Sequence, residues 1–330
     1  MSQVVRRGFE KEAGNKFSLR TPDDIGNQNE IKVLLVDTAM PDSSLWLSKE
    51  KLEQMPNLEL VQSTRAGVDS LRFEDIPENV LVCGNIGAYG EQIAEHIFGM
   101  ILYFARNLGK ANEELKQGIW KTPESTFLNG KNFLSIGTGG IGQSAARLAK
   151  CFGMKTYGVN FRGRPSVHFD RTLSEKRINS ILGVADVVVV ATPLTVKTFH
   201  MIDSQKLSQM KRNCILVNVA RGYTIDERAL YDHMKQNPEF RCGLDVWWNY
   251  PKPGEKFAQD FPFFDLPNFL GSPHDSGIVP ETEEIAALSA IENIGRFSKK
   301  RPLRGLMNRE DYVGLKQLIA SSKQTTAQTT

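Results

Sequence analysis

The chain has 330 residues, a length that suggests roughly two domains at about 150 residues each. Its hydrophobic fraction of 40% and charged fraction of 24% are ordinary globular values and exclude a collagenous, disordered or coiled-coil chain. The 41 basic and 38 acidic residues leave a net charge of +3, too weak for an electrostatic nucleic-acid footprint. No membrane span is expected either, because apolar runs such as Val187–Val190 are far short of the roughly 20 residues a spanning helix needs.

The N-terminus, MSQVVRRGFEKEAGNK, has no apolar signal core and mixes acids with bases, so no secretory or transit leader is expected. The four cysteines (Cys83, Cys151, Cys214, Cys242) have no CxxC or Cys/His spacing. A reducing, cytoplasmic setting without a metal site is the expectation.

Strand-length apolar runs then recur between longer amphipathic segments. They are IKVLLVD from Ile31, LELVQS from Leu58, NFLSIGTG from Asn132, KTYGVN from Lys155, ADVVVVA from Ala185, NCILVNVA from Asn213 and FRCGLDV from Phe240. Several are apolar almost throughout, as strands buried on both faces by helices must be. The pattern predicts an α/β chain with doubly wound parallel sheets. Helical spacing is clearest over residues 91–106, where apolar residues cover more than one face and predict a buried helix. A second helix is predicted over 281–297, opening after Pro280 with Glu281, Glu283 and Glu284 in its first turn. The tail KQTTAQTT from Lys323 has nothing to bury and is expected to be disordered.

The most specific local signal is Gly137-Thr138-Gly139-Gly140-Ile141-Gly142, a GxGxxG that leaves a predicted strand and enters a predicted helix. Gly137 permits the tight turn, Gly139 the approach of a pyrophosphate and Gly142 close helix–strand packing. The helix N-terminus supplies N–H groups and a positive dipole end to the phosphates. At an NAD site the next strand usually ends in an acid that accepts from the ribose 2′-hydroxyl. Here Asn160 stands at that point, and Arg162 and Arg164 follow. Cations without a carboxylate suit a 2′-phosphate, so NADP(H) is preferred and NAD(H) secondary.

Three further stretches carry a family resemblance. Val217-Asn218-Val219-Ala220-Arg221-Gly222 with Asp226-Glu227-Arg228-Ala229-Leu230, then Leu244-Asp245-Val246, then Leu266-Pro267-Asn268 with Ser272-Pro273-His274, resemble the signatures of the D-2-hydroxyacid dehydrogenases. Gly67-Val68-Asp69 is similar to that family's substrate loop, Ala94-Glu95-His96 to its linker helix, and Thr192-Pro193-Leu194-Thr195 with Thr198 to its TPLT turn. The resemblance implies two Rossmann-like domains, with an NAD(P)-binding domain (93–280) inserted into a discontinuous substrate domain (1–92 and 281–330). It also implies a cleft between them and a homodimer. The chain ends soon after the return helix, so no appended regulatory domain is expected.

Reducing a 2-oxo acid needs a cation for the carboxylate and ketone, and an acid for the developing alkoxide. Arg221 suits the first task through its forked permanent charge, and His274 the second through its near-neutral reference pKa. By resemblance, backbone N–H groups at Ala66 and Gly67 hold the substrate carboxylate. Thr192, Pro193, Thr198, Val219, Ala220 and Ser276 line the cofactor side, and Asp245 supports the nicotinamide. Arg65 either grips a second anionic group on the substrate or is a surface arginine. Among the other histidines, His96 reads as a packing residue, and His168, His200 and His233 take no role. Trp247 and Trp248 read as packing residues of the nucleotide domain.

The sequence departs from the family at Tyr250, which occupies the place of the glutamate that normally supports the histidine. A phenol brings no charge at neutral pH, so His274 is expected to protonate less readily than in relatives. Glu255 on the same segment is a possible substitute. Tyr89 stands where formate-oxidising relatives carry asparagine, so formate is not expected as substrate. The reading is an NADPH-preferring reductase of small 2-oxo acids of the glyoxylate or hydroxypyruvate type. The alternative is a cofactor-binding sensor or scaffold with little turnover.

Overall fold

The structure is a computed structural model and describes residues 7, 8, 11, 18, 26–38, 47–122 and 124–329. Most of the N-terminal stretch on which the leader reading rests lies outside these residues. In chain order, β1 (Val33–Val36), α1 (Lys49–Glu53), β2 (Leu60–Ser63) and β3 (Leu81–Cys83) come first. The helices α2 (Gly90–Ala105) and α3 (Leu108–Lys116) follow. Next come β4 (Asn132–Ile136), α4 (Gly140–Cys151), β5 (Lys155–Asn160), β6 (Arg171–Ser174), α5 (Asn179–Leu182) and β7 (Val187–Val190). They are succeeded by α6 (Ser204–Gln209), β8 (Ile215–Asn218), α7 (Glu227–Gln236), β9 (Arg241–Leu244) and β10 (Phe269–Gly271), and α8 (Thr282–Ser298) and α9 (Leu315–Thr329) close the chain.

Two compact units result. One combines the chain up to Tyr89 with Thr195–Lys197 and the chain from Val279, and the other is Gly90–Leu194 with Thr198–Ile278. The first break thus falls before the long helix α2, not inside it at 92/93. The reason is local, since α2 packs as one piece on α4. Gly90 lies so close that an added Cβ would stand 2.9 Å from Ser144 Oγ and 3.1 Å from the Gly140 carbonyl. Glu91 accepts from Ser144 Oγ at 2.9 Å and pairs with Arg147.

The larger unit contains a seven-stranded sheet in the order β10-β9-β8-β7-β4-β5-β6, parallel at every pairing. Its central strands are buried on both faces, as the unbroken apolar runs require; Val187, Val188, Val189 and Val190 are all inaccessible. Leu134, Val188, Leu216, Phe240, Trp248 and Phe263 belong to one apolar cluster around this sheet. Each such side chain contributes about 2 kcal/mol by leaving water. The connection from β4 starts toward β5 and that from β7 toward β8, so the sheet's switch point lies between β4 and β7.

The smaller unit holds a three-stranded parallel sheet, β1-β2-β3, among the described residues. Leu60, Cys83 and Ile294 pack together with Val33, Leu35, Phe297 and Leu303, which seats α8 on that sheet. The tail contradicts the expectation of disorder, because α9 runs helically to Thr329. Its sequence has no proline or glycine to stop a helix once Leu315 anchors the start in the apolar interior. Among the described residues no helix is long and apolar enough to cross a membrane. All four cysteines are free thiols, and burial pushes the Cys214 thiol up to about 12.

Burial also lowers the imidazoles of His200 and His233 below their ordinary value of 6.5. Below that pH the unfolded chain takes up protons that the folded chain refuses, so stability present above 6.5 is lost as the pH falls. Thermal unfolding followed by circular dichroism should therefore shift to lower temperature between neutral pH and about pH 5. The shift should be smaller for His233→Gln; an equal shift would assign the acid sensitivity elsewhere.

Candidate active site

The carboxyl ends of the parallel strands collect the residues singled out by the sequence. Taken across the larger sheet, β10 leads to His274, β9 to Asp245, β8 to Arg221, β7 to Thr192, β4 to Gly137 and β5 to Asn160. Neighbouring strands lie about 4.8 Å apart, so residues as distant in the chain as Gly137 and His274 come to lie along one edge. Open α/β sheets bind ligands at this edge, outside a switch point.

The glycine turn is shaped by close backbone contacts. Gly137 has φ +108°, and a Cβ there would stand 2.3 Å from the Ala191 carbonyl oxygen. A Cβ at Gly142 would stand 2.2 Å from the Gly137 oxygen. Gly139 caps α4 with no side-chain hydrogen bond, and the space beside it is open. The first-turn N–H groups of Gly140, Ile141 and Gly142 lack intrahelical partners, and the open space at Gly139 leaves room for a dinucleotide pyrophosphate.

At the end of β5, Asn160 donates to Thr138 Oγ1 at 3.0 Å and to the Arg164 carbonyl at 2.8 Å, and accepts from Arg164 N–H at 3.1 Å. Its side chain thus shapes the loop at the point where an acid would otherwise meet the ribose. Arg162 and Arg164 are exposed, and neither guanidinium is in an ion pair among the described residues. Thr198 Oγ1 donates to the Pro193 carbonyl at 2.6 Å and closes the turn after β7.

The Arg221 backbone is held through its carbonyl. That oxygen accepts from Asn218 Nδ2 at 3.0 Å, Thr224 N–H at 3.1 Å and Thr224 Oγ1 at 2.7 Å. Its guanidinium donates to the Ala220 carbonyl at 2.7 Å, while Ala220 and Val219 are buried behind it. Gly222 is required because a Cβ would stand 2.3 Å from the Trp247 backbone.

His274 has φ +60°, a left-handed conformation that side-chain-bearing residues adopt only when their surroundings impose it. Asp245 imposes it. This fully buried carboxylate accepts from Ser272 Oγ at 2.6 Å and Asp275 N–H at 3.0 Å on one oxygen, and from Ser276 N–H at 3.2 Å on the other. Trp247 Nε1 donates to the Ser272 carbonyl and Trp248 Nε1 to the Ile225 carbonyl, both at 2.9 Å. The two indoles thereby tie the segment after β9 to both the His274 loop and the Arg221 loop.

The Tyr250 ring lies 5.5 Å from the His274 ring, tilted by 41°, and its hydroxyl accepts from Trp247 N–H at 3.2 Å. Glu255, the candidate substitute for the missing glutamate, is exposed and accepts from Lys252 N–H at 3.0 Å. That contact closes its own loop.

In the smaller unit, Arg65 forks onto Asp37 with bonds of 2.9 and 3.0 Å. The sequence reading of Arg65 as grip for a second substrate anion thus meets a guanidinium whose charge already has a carboxylate partner. The Gly67 carbonyl accepts from Thr38 Oγ1 at 2.8 Å and the Arg65 carbonyl from Asn85 N–H at 2.9 Å. No described residue accepts from the N–H groups of Ala66 and Gly67.

His96, read from the sequence as a packing residue, belongs to the Asp245 cluster. Its Nε2 lies 2.9 Å from Ser272 Oγ and 3.9 Å from Asp245 Oδ1. Nothing in the local sequence signals this, since the partners are 176 and 149 positions away. His96, Asp245 and Asp275 bring possible ligand atoms within 4.8 Å of one another, but both Asp245 oxygens are taken by protein donors.

Fold and site together define a dinucleotide-binding α/β protein. Residues 98–276 match the family model described as D-isomer specific 2-hydroxyacid dehydrogenase, NAD binding domain. The D-3-phosphoglycerate dehydrogenase of Methanocaldococcus jannaschii is 31% identical over 284 residues, covering 83% of this chain and 51% of that protein. The chain thus spans about half that relative's length. A glyoxylate reductase of Thermococcus litoralis is 28% identical over 84% of this chain and 86% of its own length. Among solved structures, a D-isomer specific 2-hydroxyacid dehydrogenase family protein from Aeromonas salmonicida superposes with a TM-score of 0.72 at 28% identity, covering 94% of this chain and 97% of that one. The chain belongs to the D-isomer specific 2-hydroxyacid dehydrogenase family, NAD(P)-dependent oxidoreductases.

Proposed function

We propose that this chain reduces small 2-oxo acids of the glyoxylate or hydroxypyruvate type to D-2-hydroxy acids, with NADPH preferred over NADH. The observation that carries the reading is the placement of Arg221 and His274 on the ends of β8 and β10, flanking Asp245 on β9, at the sheet edge that bears the glycine turn. A relative bearing the name glyoxylate reductase supports the substrate class.

The dinucleotide's phosphates are assigned to the first turn of α4, and its nicotinamide end to the neighbourhood of Thr192, Val219, Ala220, Asp245 and Ser276. When bound, the reduced nicotinamide supplies a hydride for the carbonyl carbon. Arg221 binds the substrate carboxylate and draws electron density toward the ketone oxygen. His274 gives a proton to that oxygen as it becomes an alkoxide. The N–H groups of Ala66 and Gly67 donate to the carboxylate, and the Arg65–Asp37 fork orders their loop. The family's glutamate brings a charge to its histidine, whereas Tyr250 offers a ring face and a phenol. Retention of both Arg221 and His274 argues for turnover over a sensing role, since a pure sensor has no chemical use for the pair.

The cofactor preference rests on the two exposed arginines beyond Asn160. Each charge-assisted contact to a 2′-phosphate is worth about tenfold or more. The doubly substituted Arg162→Ser/Arg164→Ser protein should therefore lose about 100-fold in kcat/KM for NADPH while NADH use changes little. Equal losses with both cofactors would remove the arginines from the adenosine end.

We also assign a homodimer to this chain, through the region after α2. Trp120 is 90% and Phe127 76% exposed, with Leu108 and Leu115 on α3 more than half exposed. Apolar groups this large, clustered along one short stretch, mark an interaction surface. Light scattering should give twice the chain mass for the native protein and the single mass for Trp120→Glu/Phe127→Glu. A monomeric native protein would refute the assignment.

A further inference from the structure

The chain of hydrogen bonds from α2 to the loop of His274 has a direction that can be worked out. Ser272 has a single hydroxyl proton, and its 2.6 Å bond to Asp245 Oδ1 spends it on the carboxylate. Toward His96, 2.9 Å away, Ser272 Oγ therefore accepts, and His96 Nε2 must carry the proton. The sequence of donors runs from His96 to Ser272 to Asp245, and the same carboxylate receives the backbone N–H groups of Asp275 and Ser276.

We propose that His96 is a positioning residue for the reaction: by donating through Ser272 to Asp245, it fixes the loop that carries His274. This rests on the proton-donor role assigned to His274 above. The loop is held on both sides of His274 by one buried carboxylate, and the left-handed backbone at His274 would relax without that hold. Ser272 is the hinge of the arrangement. Its N–H donates to the Leu244 carbonyl, its carbonyl accepts from Trp247, and among the described residues its hydroxyl is oriented by the two side chains alone. Removing the His96 donor leaves a hydroxyl that can turn away from Asp245. His96 is suited to the task because α2 is anchored by the buried Ile93, Ala94 and Ile97, while the imidazole itself remains partly accessible.

The test combines kinetics with a readout that needs no turnover. With a 2-oxo acid and NADPH, His96→Leu should lower kcat about tenfold and change KM less than about threefold, because substrate contacts persist while the proton donor is misplaced. His96→Gln, whose amide N–H can donate to Ser272, should restore most of kcat. His96→Leu combined with Ser272→Ala should be no slower than Ser272→Ala alone, since both break one chain. Full kcat in His96→Leu, a glutamine variant as slow as the leucine one, or losses that multiply would each overturn the proposal. Independently, histidine-selective nitrogen-15 NMR of the native protein should show the His96 proton on Nε2, assigned by its loss in His96→Gln. A proton held on Nδ1 alone would overturn the proposal. If the native protein reduces no 2-oxo acid, the functional reading fails, and this spectrum still decides the role of His96 in the hydrogen-bond chain.

Discussion

Arg221→Gln is expected to lower kcat/KM for a 2-oxo acid by about 1,000-fold, with KM raised and kcat reduced together. The guanidinium carries two tasks at once. It meets the carboxylate with a forked charge, and it polarises the ketone as negative charge develops on the oxygen. Glutamine keeps a hydrogen-bond donor and a similar length but removes the charge from both. The fold should survive the change, because Arg221 is held by its backbone carbonyl, whose partners Asn218 and Thr224 remain. Arg221→Lys should recover charge without the fork and fall between the two, rising mainly in KM. Steady-state kinetics on glyoxylate checks this, and a glutamine variant within about tenfold of native would take Arg221 out of the site.

His274→Gln is expected to lower kcat by about 100-fold to 10,000-fold, the range a positioned general acid contributes, while NADPH binding stays near native. Its companion prediction concerns Tyr250. Placing a carboxylate there, as Tyr250→Glu, puts a charge beside the imidazole and stabilises its protonated form. Ketone reduction should then persist to higher pH than in the native protein, so the alkaline limb of kcat/KM moves upward. An unchanged limb, with chemistry shown to limit the rate, would mean that His274 is not the proton donor that limb reports.

Much of this site was legible because it is carried by backbone constraints that only certain residues meet. Gly137, Gly142 and Gly222 announce themselves in the sequence, and each faces a main-chain atom that a Cβ would strike. Buried parallel strands such as ILVN at β8 and VVVV at β7 are equally plain, since both faces need apolar side chains. The short strands β3, β6 and β10 were not anticipated. Strand β6 reads Arg-Thr-Leu-Ser and owes its existence to pairing with β5 alone.

Side-chain partnerships across long separations were illegible as well. Asp37 and Arg65 lie 28 positions apart, so whether the arginine faced a ligand or a carboxylate could not be read from either neighbourhood. His96 sits in an apolar helix and looked like core. Its use depends on Ser272 and Asp245, which arrive from β10 and β9 only once the sheet is assembled. Asn160 occupies the position where an acid meets the ribose, yet its amide geometry lets it both donate to and accept from Arg164. It therefore builds the loop that displays the two arginines.

The most direct test follows the absorbance of NADPH and NADH in parallel with glyoxylate, hydroxypyruvate and pyruvate, using the native protein near neutral pH. Consumption of NADPH faster than NADH with glyoxylate or hydroxypyruvate, giving the D-hydroxy acid where the product is chiral, is the predicted result. Binding of both cofactors without consumption of either on any of these acids would contradict the account and leave Tyr250 beside His274 as the mark of a protein that binds the dinucleotide without using it.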